Sequence, residues 1–495
     1  VAHEEHPVAK PNAAWRRMAR KWALIHDLLG GTQRMRDQAQ VWLPKEQAET
    51  DTNYNRRLSR SVLFEGLANA IDRAVARPFT RPVTAKNAPT LLDFLEVDTD
   101  DCGQPLSKFA RSIFEDALTY GKAHILIDFT AVPENVGGGI ASIAQEQAVG
   151  ARATFVRVSP PALIGWLTDS RESNTGGAGD PELSQIRIRE TRTEQVDGSR
   201  FASHQVDYVR VIERDRFELW RKSDVQGSEQ WDLADEGPLT LGHIPLVTIY
   251  AKKIGVLEAD PPFDGLAWLN LAHWQSDSDQ RNILRVARFA VLFASGLTKR
   301  EAEQGFEIGP FNMVSTSASS KDADLKYVEH GGKAVEAGRK DLLDLESRME
   351  VLGIEPFVDK SAGATATGKA IDEASSSTRA QDWVRSLETG LEEAYRFAAQ
   401  WHQTELPADF GVDVFSDFTV SFGNSDLAFL LDATTKGRLS TLTFLQEIKR
   451  RGQLADSVDP DVEAAQIAEE FGMTDPLSSI PDAASMGLDA QGQPL

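Results

Sequence analysis

The run Gly363-Ala-Thr-Ala-Thr-Gly368-Lys369 comes closer to a known chemistry than any other segment of this sequence. Two glycines separated by four residues and followed by lysine make a loop whose backbone N–H groups can cradle phosphates. The next position breaks the pattern. Ala370 stands where a Ser or Thr hydroxyl must hold Mg²⁺, so a triphosphate would lack the charge neutralisation that its transfer needs. The acidic strand such a site requires has a counterpart in Ile125-Leu126-Ile127-Asp128, but far upstream of the loop rather than downstream. His3-Glu4-Glu5-His6 spaces its histidines three apart, not the four that put both on one helix face in the zinc-protease pattern. The other histidines are scattered, and the single cysteine, Cys102, supports neither an intrachain disulfide nor a cysteine zinc site. No nucleophile elbow, dinucleotide-binding turn or catalytic Cys/His signature occurs. These residues predict a non-enzymatic protein with no cofactor and no metal, and a nucleotide-binding enzyme using 363–369 is the alternative.

Bulk properties narrow the class further. A chain of 495 residues, 41% hydrophobic and 26% charged, can bury several cores. No apolar run reaches the roughly 18 residues of a membrane span, and the opening residues lack a signal-peptide pattern, so a cytoplasmic, membrane-free protein is expected. Lys and Arg number 53 against 75 Asp and Glu, a net charge of −22, which disfavours tight neutralisation of DNA phosphates. That acidity either keeps a large protein soluble or lets a polyanion slide past without sticking.

The elements follow from periodicity. Trp15, Met18, Trp22, Ile25 and Leu29 predict an amphipathic helix to Gly30, and Leu58, Val62, Leu67 and Ile71 a second over about 55–75. A third helix, Leu106 to Tyr120, is closed by Gly121 and followed by a buried strand over 123–129. From Thr154 to Tyr250, β-branched and aromatic runs predict antiparallel strands, interrupted by a polar loop at 170–180 that is expected to be mobile. A helix of about 30 residues is expected over Asp264–Phe293, polar on all sides in its middle, as is a helix that bridges elements, lines a solvent channel or lies on a domain surface. Trp268 and Trp274 on it are read as packing residues. An insert over 298–332, with strands near 306–315 and 325–329, separates it from a helix over 333–352 stopped by Gly353. The flexible run 360–368 leads into a long helix to Gln403 with Leu387, Leu391, Ala394, Ala398 and Trp401 buried. A strand pair over 412–422 and helices over 427–451 and 459–471 follow, the last begun by Asp459-Pro460. The fold class is α+β, mainly α.

This order resembles the portal proteins of tailed bacteriophages, in their long branch. Local phrases carry the resemblance: Tyr54-Asn-Arg-Arg57-Leu58, Asp100-Asp101-Cys-Gly103-Gln-Pro-Leu106, Ala117-Leu-Thr-Tyr-Gly121 leading to Ile127-Asp128, and Trp268 through Asp277. It spans Tyr54 to Phe471. None of these phrases is a catalytic signature, and before Asp51 no portal phrase occurs. The resemblance implies an N-terminal arm and helix (1–50), a wing (51–260), a first stem helix (261–293), a clip (294–332) and a second stem helix (333–353). It further implies a tunnel loop (354–368), a long helix returning to the wing (369–426), a crown (427–473) and a disordered tail (474–495). The implied function is structural: a homo-oligomeric ring, a dodecamer in most members, forming the DNA entry and exit channel at one capsid vertex of the virion. It assembles in the host cytoplasm. The implied partners are double-stranded DNA without sequence recognition, the large terminase, a head-tail adaptor or neck protein, and the major capsid protein. Assigned residues are Lys360, Ser361, Gly363, Thr365, Thr367, Gly368 and Lys369 in the tunnel loop, and Lys299, Arg300 and Glu301 on the clip. Gln275, Asp277, Asp279 and Arg281 are expected to line the channel.

Overall fold

The computed structural model describes residues 6–129, 152–169, 182–196, 199–225, 228–239, 241–288, 291–295, 324–328, 332–354 and 379–416 of a first unit, Val1–Ser416. In a second unit, Asp417–Leu495, it describes 431, 434–436, 438–450, 454 and 458–470. The architecture is mixed α and β, with both classes well represented.

In the first unit α1 (Ala13–Leu29) is capped by the Asn12 side chain, which accepts from the Trp15 N–H. It buries Met18, Trp22 and Ile25, as the periodicity predicts. Short helices α2 (Gly31–Asp37) and α3 (Ala39–Trp42) follow. The single helix expected over 55–75 is two, α4 (Asp51–Leu58) and α5 (Gly66–Ala76). The break has a tertiary cause. The intervening backbone is held elsewhere, with the Arg36 guanidinium donating to Ser61 O and the Leu63 N–H to the Thr32 hydroxyl. Buried Asn270 accepts from the Leu67 N–H at 2.8 Å and donates to Phe64 O at 2.7 Å.

After the short α6 (Phe94–Val97), α7 (Leu106–Tyr120) ends at Gly121, whose φ of +86° is left-handed. A Cβ at that glycine would lie 2.3 Å from Asp260 O, so the turn needs glycine twice over. The chain then enters β2 (Lys122–Phe129), centre of an antiparallel sheet ordered β3-β2-β9, with β3 (Ala153–Val158) and β9 (Leu246–Tyr250). A second antiparallel sheet runs in sequence order through β4 (Leu163–Thr168), β5 (Leu183–Gln195), β6 (Ser203–Glu213), β7 (Arg216–Val225) and β8 (Ser228–Pro238). The antiparallel region is where the β-branched runs place it; the loop 170–180 lies outside the described residues. Two-stranded pairs are made by β1 (Thr84–Lys86) with β14 (Gly411–Asp413), and by β10 (Lys253–Gly255) with β11 (Glu258–Ala259). Gly411–Asp413 pairs with a segment more than 300 residues upstream, and the second strand expected within 412–422 falls on residues 417–422, outside the described ones.

The helix expected to reach Phe293 stops sooner. Helix α8 (Asp264–Ala287) has 24 residues, and Val291–Ser295 is β12, paired with β13 (Asp324–Val328). The apolar run around Phe293 belongs to a strand, because β-branched residues bounded by breaks fit a ribbon as well as a helix end. The expected first strand at 306–315 lies outside the described residues. Helix α9 (Lys333–Ile354) runs through Gly353 rather than stopping before it, and a Cβ there would lie only 3.2 Å from Ala70 Cβ on α5. Helix α10 (Arg379–Trp401) buries Leu387, Leu391, Ala394 and Ala398 on the three-stranded sheet, while Trp401 is half-buried and stacks on Phe129.

In the second unit the described helices are α11 (Thr441–Arg450) and α12 (Pro460–Glu470), with the Asp459 carboxylate accepting from the Asp461 N–H. No described helix is long and apolar enough to cross a membrane.

Candidate functional site

Helices α8 and α9 form an antiparallel hairpin, and the β12–β13 ribbon continues it. Three cross-links fix its register: His273 Nε2 to Glu346 Oε1 at 3.2 Å, the Ser276 hydroxyl to Asp341 at 3.0 Å, and the Gln280 amide to Val335 O at 2.7 Å. Gly338 lets the helices come this close, since a Cβ there would meet the Gln280 side-chain oxygen at 2.2 Å.

The polar middle of α8 is not polar all round. Ser278 and Gln280 are buried, and Gln275, Ser276 and Asp279 each have a partner on a neighbouring element. Its sequence is hydrophilic because the packing around it is polar. Trp274 is fully buried, as expected, whereas Trp268 is 55% exposed and does not serve as a core residue.

A second flank of α8 is covered by α3 and α4. The Gln275 amide donates to Trp42 O at 2.7 Å. Arg57, only 6% exposed, grips Glu49 with two hydrogen bonds of 3.0 and 2.9 Å, donates to Pro44 O, and reaches Asp279 at 3.4 Å. Hydrogen bonding to Arg57 holds the Glu49 carboxyl below the usual range for a glutamate. Next to this network lies a cleft of about 470 Å³ whose lining includes Asn53, Arg56, Arg60, Asn282 and Arg285.

Helical geometry then fixes what is left. Positions 273, 276 and 280 face α9, positions 275, 279 and 282 face α4, and a step of about 100° per residue puts 277, 281, 285 and 288 roughly 110° from each flank. Asp277 and Arg281 pair along this third face at 2.6 Å, and Arg281, Arg285 and Arg288 are exposed. Of the four residues expected to line a channel, Arg281 is exposed on this third face, while the Asp277 side chain that pairs with it is only 15% exposed. Gln275 and Asp279 have partners on α3 and α4, although the Asp279 side chain stays 67% exposed. The arginines at 285 and 288 were not singled out from sequence, although their spacing from Arg281, four and seven residues, is a helical signal.

Lys299, Arg300 and Glu301 lie outside the described residues, as do Lys360, Ser361, Gly363, Thr365, Thr367, Gly368 and Lys369. Among the described residues no cluster of three or more His, Cys, Asp or Glu could hold a metal ion.

Residues 262–402, which include the hairpin and α10, match a family described as a domain of unknown function, DUF4055. No curated protein matches the chain. Among solved structures, a chain of the virion of a native gene transfer agent (GTA) particle is similar at 10% identity and a TM-score of 0.39, over 88% of this chain and 95% of that one. A chain of the neck of the native GTA particle, computed with C12 symmetry, is similar at 10% identity and a TM-score of 0.38, over 77% and 88%.

Proposed function

We propose that the chain is a structural ring subunit, a portal protein through which duplex DNA enters and leaves a capsid, with no catalytic role. The observation that carries this reading is the hairpin. Two helices, cross-linked to each other and met on a second side by α3 and α4, carry an exposed polar strip at the C-terminal end of α8, at Arg281, Arg285 and Arg288, whereas Asn270 and Trp274 further back on the same line are buried. A polar helix face repeated around a symmetry axis makes a hydrated wall. In this reading α8 and α9 are the stem, with Asp277 and Arg281 turned to the channel. The insert with Lys299, Arg300 and Glu301 is the clip that docks the large terminase and later a neck protein. The run from Lys360 to Lys369 is the tunnel loop, and residues 427–473 are the crown. The ring is a dodecamer set in the major capsid protein at one vertex of the virion.

Negative-stain imaging with a solution mass measurement tests the reading. Rings with a central hole wide enough for a duplex are expected, and a monomer or an open filament at every concentration tried would end it.

A further inference from the structure

We propose that the exposed arginine row at the C-terminal end of α8 is a binding site for the sugar-phosphate backbone of duplex nucleic acid, made by Arg281, Arg285 and Arg288, with Arg56 and Arg60 beside them on the α4 side. The proposal deepens the conduit reading and rests on it for the source of the ligand.

Charge is the first argument. The chain as a whole is acidic at −22, yet the segment Arg281-Asn-Ile-Leu-Arg285-Val-Ala-Arg288 holds three arginines and no acid. Geometry is the second. Spacings of four and three residues correspond to rises of about 6 and 4.5 Å, so the three guanidinium groups form a row about 10 Å long on one line of the helix. All three are exposed. Arg281 spends one N–H on Asp277 and keeps the others. The third argument is the neighbourhood. Arg285 also lines the cleft that Arg56 and Arg60 enter from α4, with Asn53 and Asn282 as neutral donors. The acids of the cleft are Glu46, Glu49 and Asp279, of which Arg57 engages the last two, and against these three the arginines at 56, 57, 60 and 285 leave one positive charge in excess.

A linear polyanion fits this better than a protein surface does. Protein partners dock through apolar or aromatic anchors in desolvated pockets. On this stretch the large apolar side chains, Ile283 and Leu284, lie off the arginine line. Guanidinium groups bind phosphate oxygens in pairs of parallel hydrogen bonds and read no base, so contact along the row is sequence-independent.

The test is fluorescence anisotropy of a labelled 30-base-pair duplex with the full chain, on separated monomer and ring fractions, across salt concentrations. The variant is R281Q/R285Q/R288Q, and R16Q/R20Q/R111Q, three exposed arginines on α1 and α7, is the control of equal charge change. With each phosphate contact contributing about 0.9 to the slope of log K against log salt, the triple variant should lose about 2 to 3 from that slope and bind at least about tenfold more weakly at low salt. The control should keep the parent slope. Poly-glutamate should compete weakly, and unrelated duplexes should bind alike. The proposal is overturned by no salt-dependent binding in the parent, by equal losses in variant and control, or by poly-glutamate binding as tightly as the duplex and losing affinity with the same triple variant. Absence of rings would defeat the conduit reading and leave the slope measurement intact, whereas rings with an unchanged slope would defeat this proposal alone.

Discussion

Lys122 is fully buried, its Nζ donating to Leu257 O at 2.6 Å between the rings of Trp22 and Trp166. Burial lowers its pKa from the usual lysine value to about 7, with the nearby Glu258 charge opposing the shift. Its neighbour on the strand, His124, is also fully buried, and burial holds it well below the ordinary histidine value and therefore neutral. The sign of the Lys122 effect follows from proton counting. Between about pH 7 and the unperturbed lysine value the unfolded chain binds the proton and the folded chain does not, so Lys122 makes stability rise with pH across that window. The slope cannot exceed about 1.4 kcal/mol per pH unit for one group. Urea denaturation of Lys122→Met should show that rise removed between pH 7 and 10, with the variant more stable than the parent at pH 7. An unchanged rise in the variant would assign the pH dependence to other groups.

Elements that depend on local periodicity were legible in the sequence: α1, α7 with its glycine stop, the antiparallel strands and the start of α12 all lie where spacing and capping put them. Elements fixed by distant partners were not. The break between α4 and α5 is invisible in a pattern where Leu58, Val62, Leu67 and Ile71 keep helical spacing, because its cause is Asn270, some two hundred residues away. The pairing of Gly411–Asp413 with Thr84–Lys86 is likewise non-local. The polar composition of α8 was legible, but the expectation of a helix open to solvent on all sides in its middle was not met, because only packing reveals which polar residues are consumed. Gln275 and Asp279 are engaged by Trp42 and Arg57, and the exposed row falls at Arg281, Arg285 and Arg288. The Asn270 bridge makes a prediction at this scale. Asn270→Ala leaves the Leu67 N–H and the Phe64 carbonyl without their buried partner, at a cost of about 2–4 kcal/mol. The urea midpoint should fall accordingly with an unchanged m-value. A shift below about 0.5 kcal/mol would show that the break forms without the asparagine.

For the whole molecule, charge sets the conditions of assembly. Each copy carries −22, so assembly of the proposed ring would work against mutual repulsion that salt screens over about 10 Å at 0.1 M. At fixed protein concentration the ring fraction, read by mass photometry, should rise as salt increases from about 20 to 200 mM. A fall over that range would mean that ion pairs between copies dominate assembly. A different constraint acts on a single copy while it is being made. The N-terminal segment is stitched to distant chain: the Asn12 N–H donates to Ile164 O, Trp15 Nε1 to Pro161 O, and Arg189 to Ala9 O. Arg17 and Lys21 pair with Glu258 and Asp260. None of these partners exists when α1 leaves the ribosome. Trp22 can meet Tyr120 once α7 is made, but at roughly 5–20 residues per second about ten seconds or more separate α1 from Asp260, and through that interval the side of α1 around Met18, whose sulfur accepts from the Ala259 N–H, lacks its partner. A helix completed only by chain made about 230 residues later is exposed to aggregation during synthesis, and slowing translation ahead of residue 260 should lower the soluble yield.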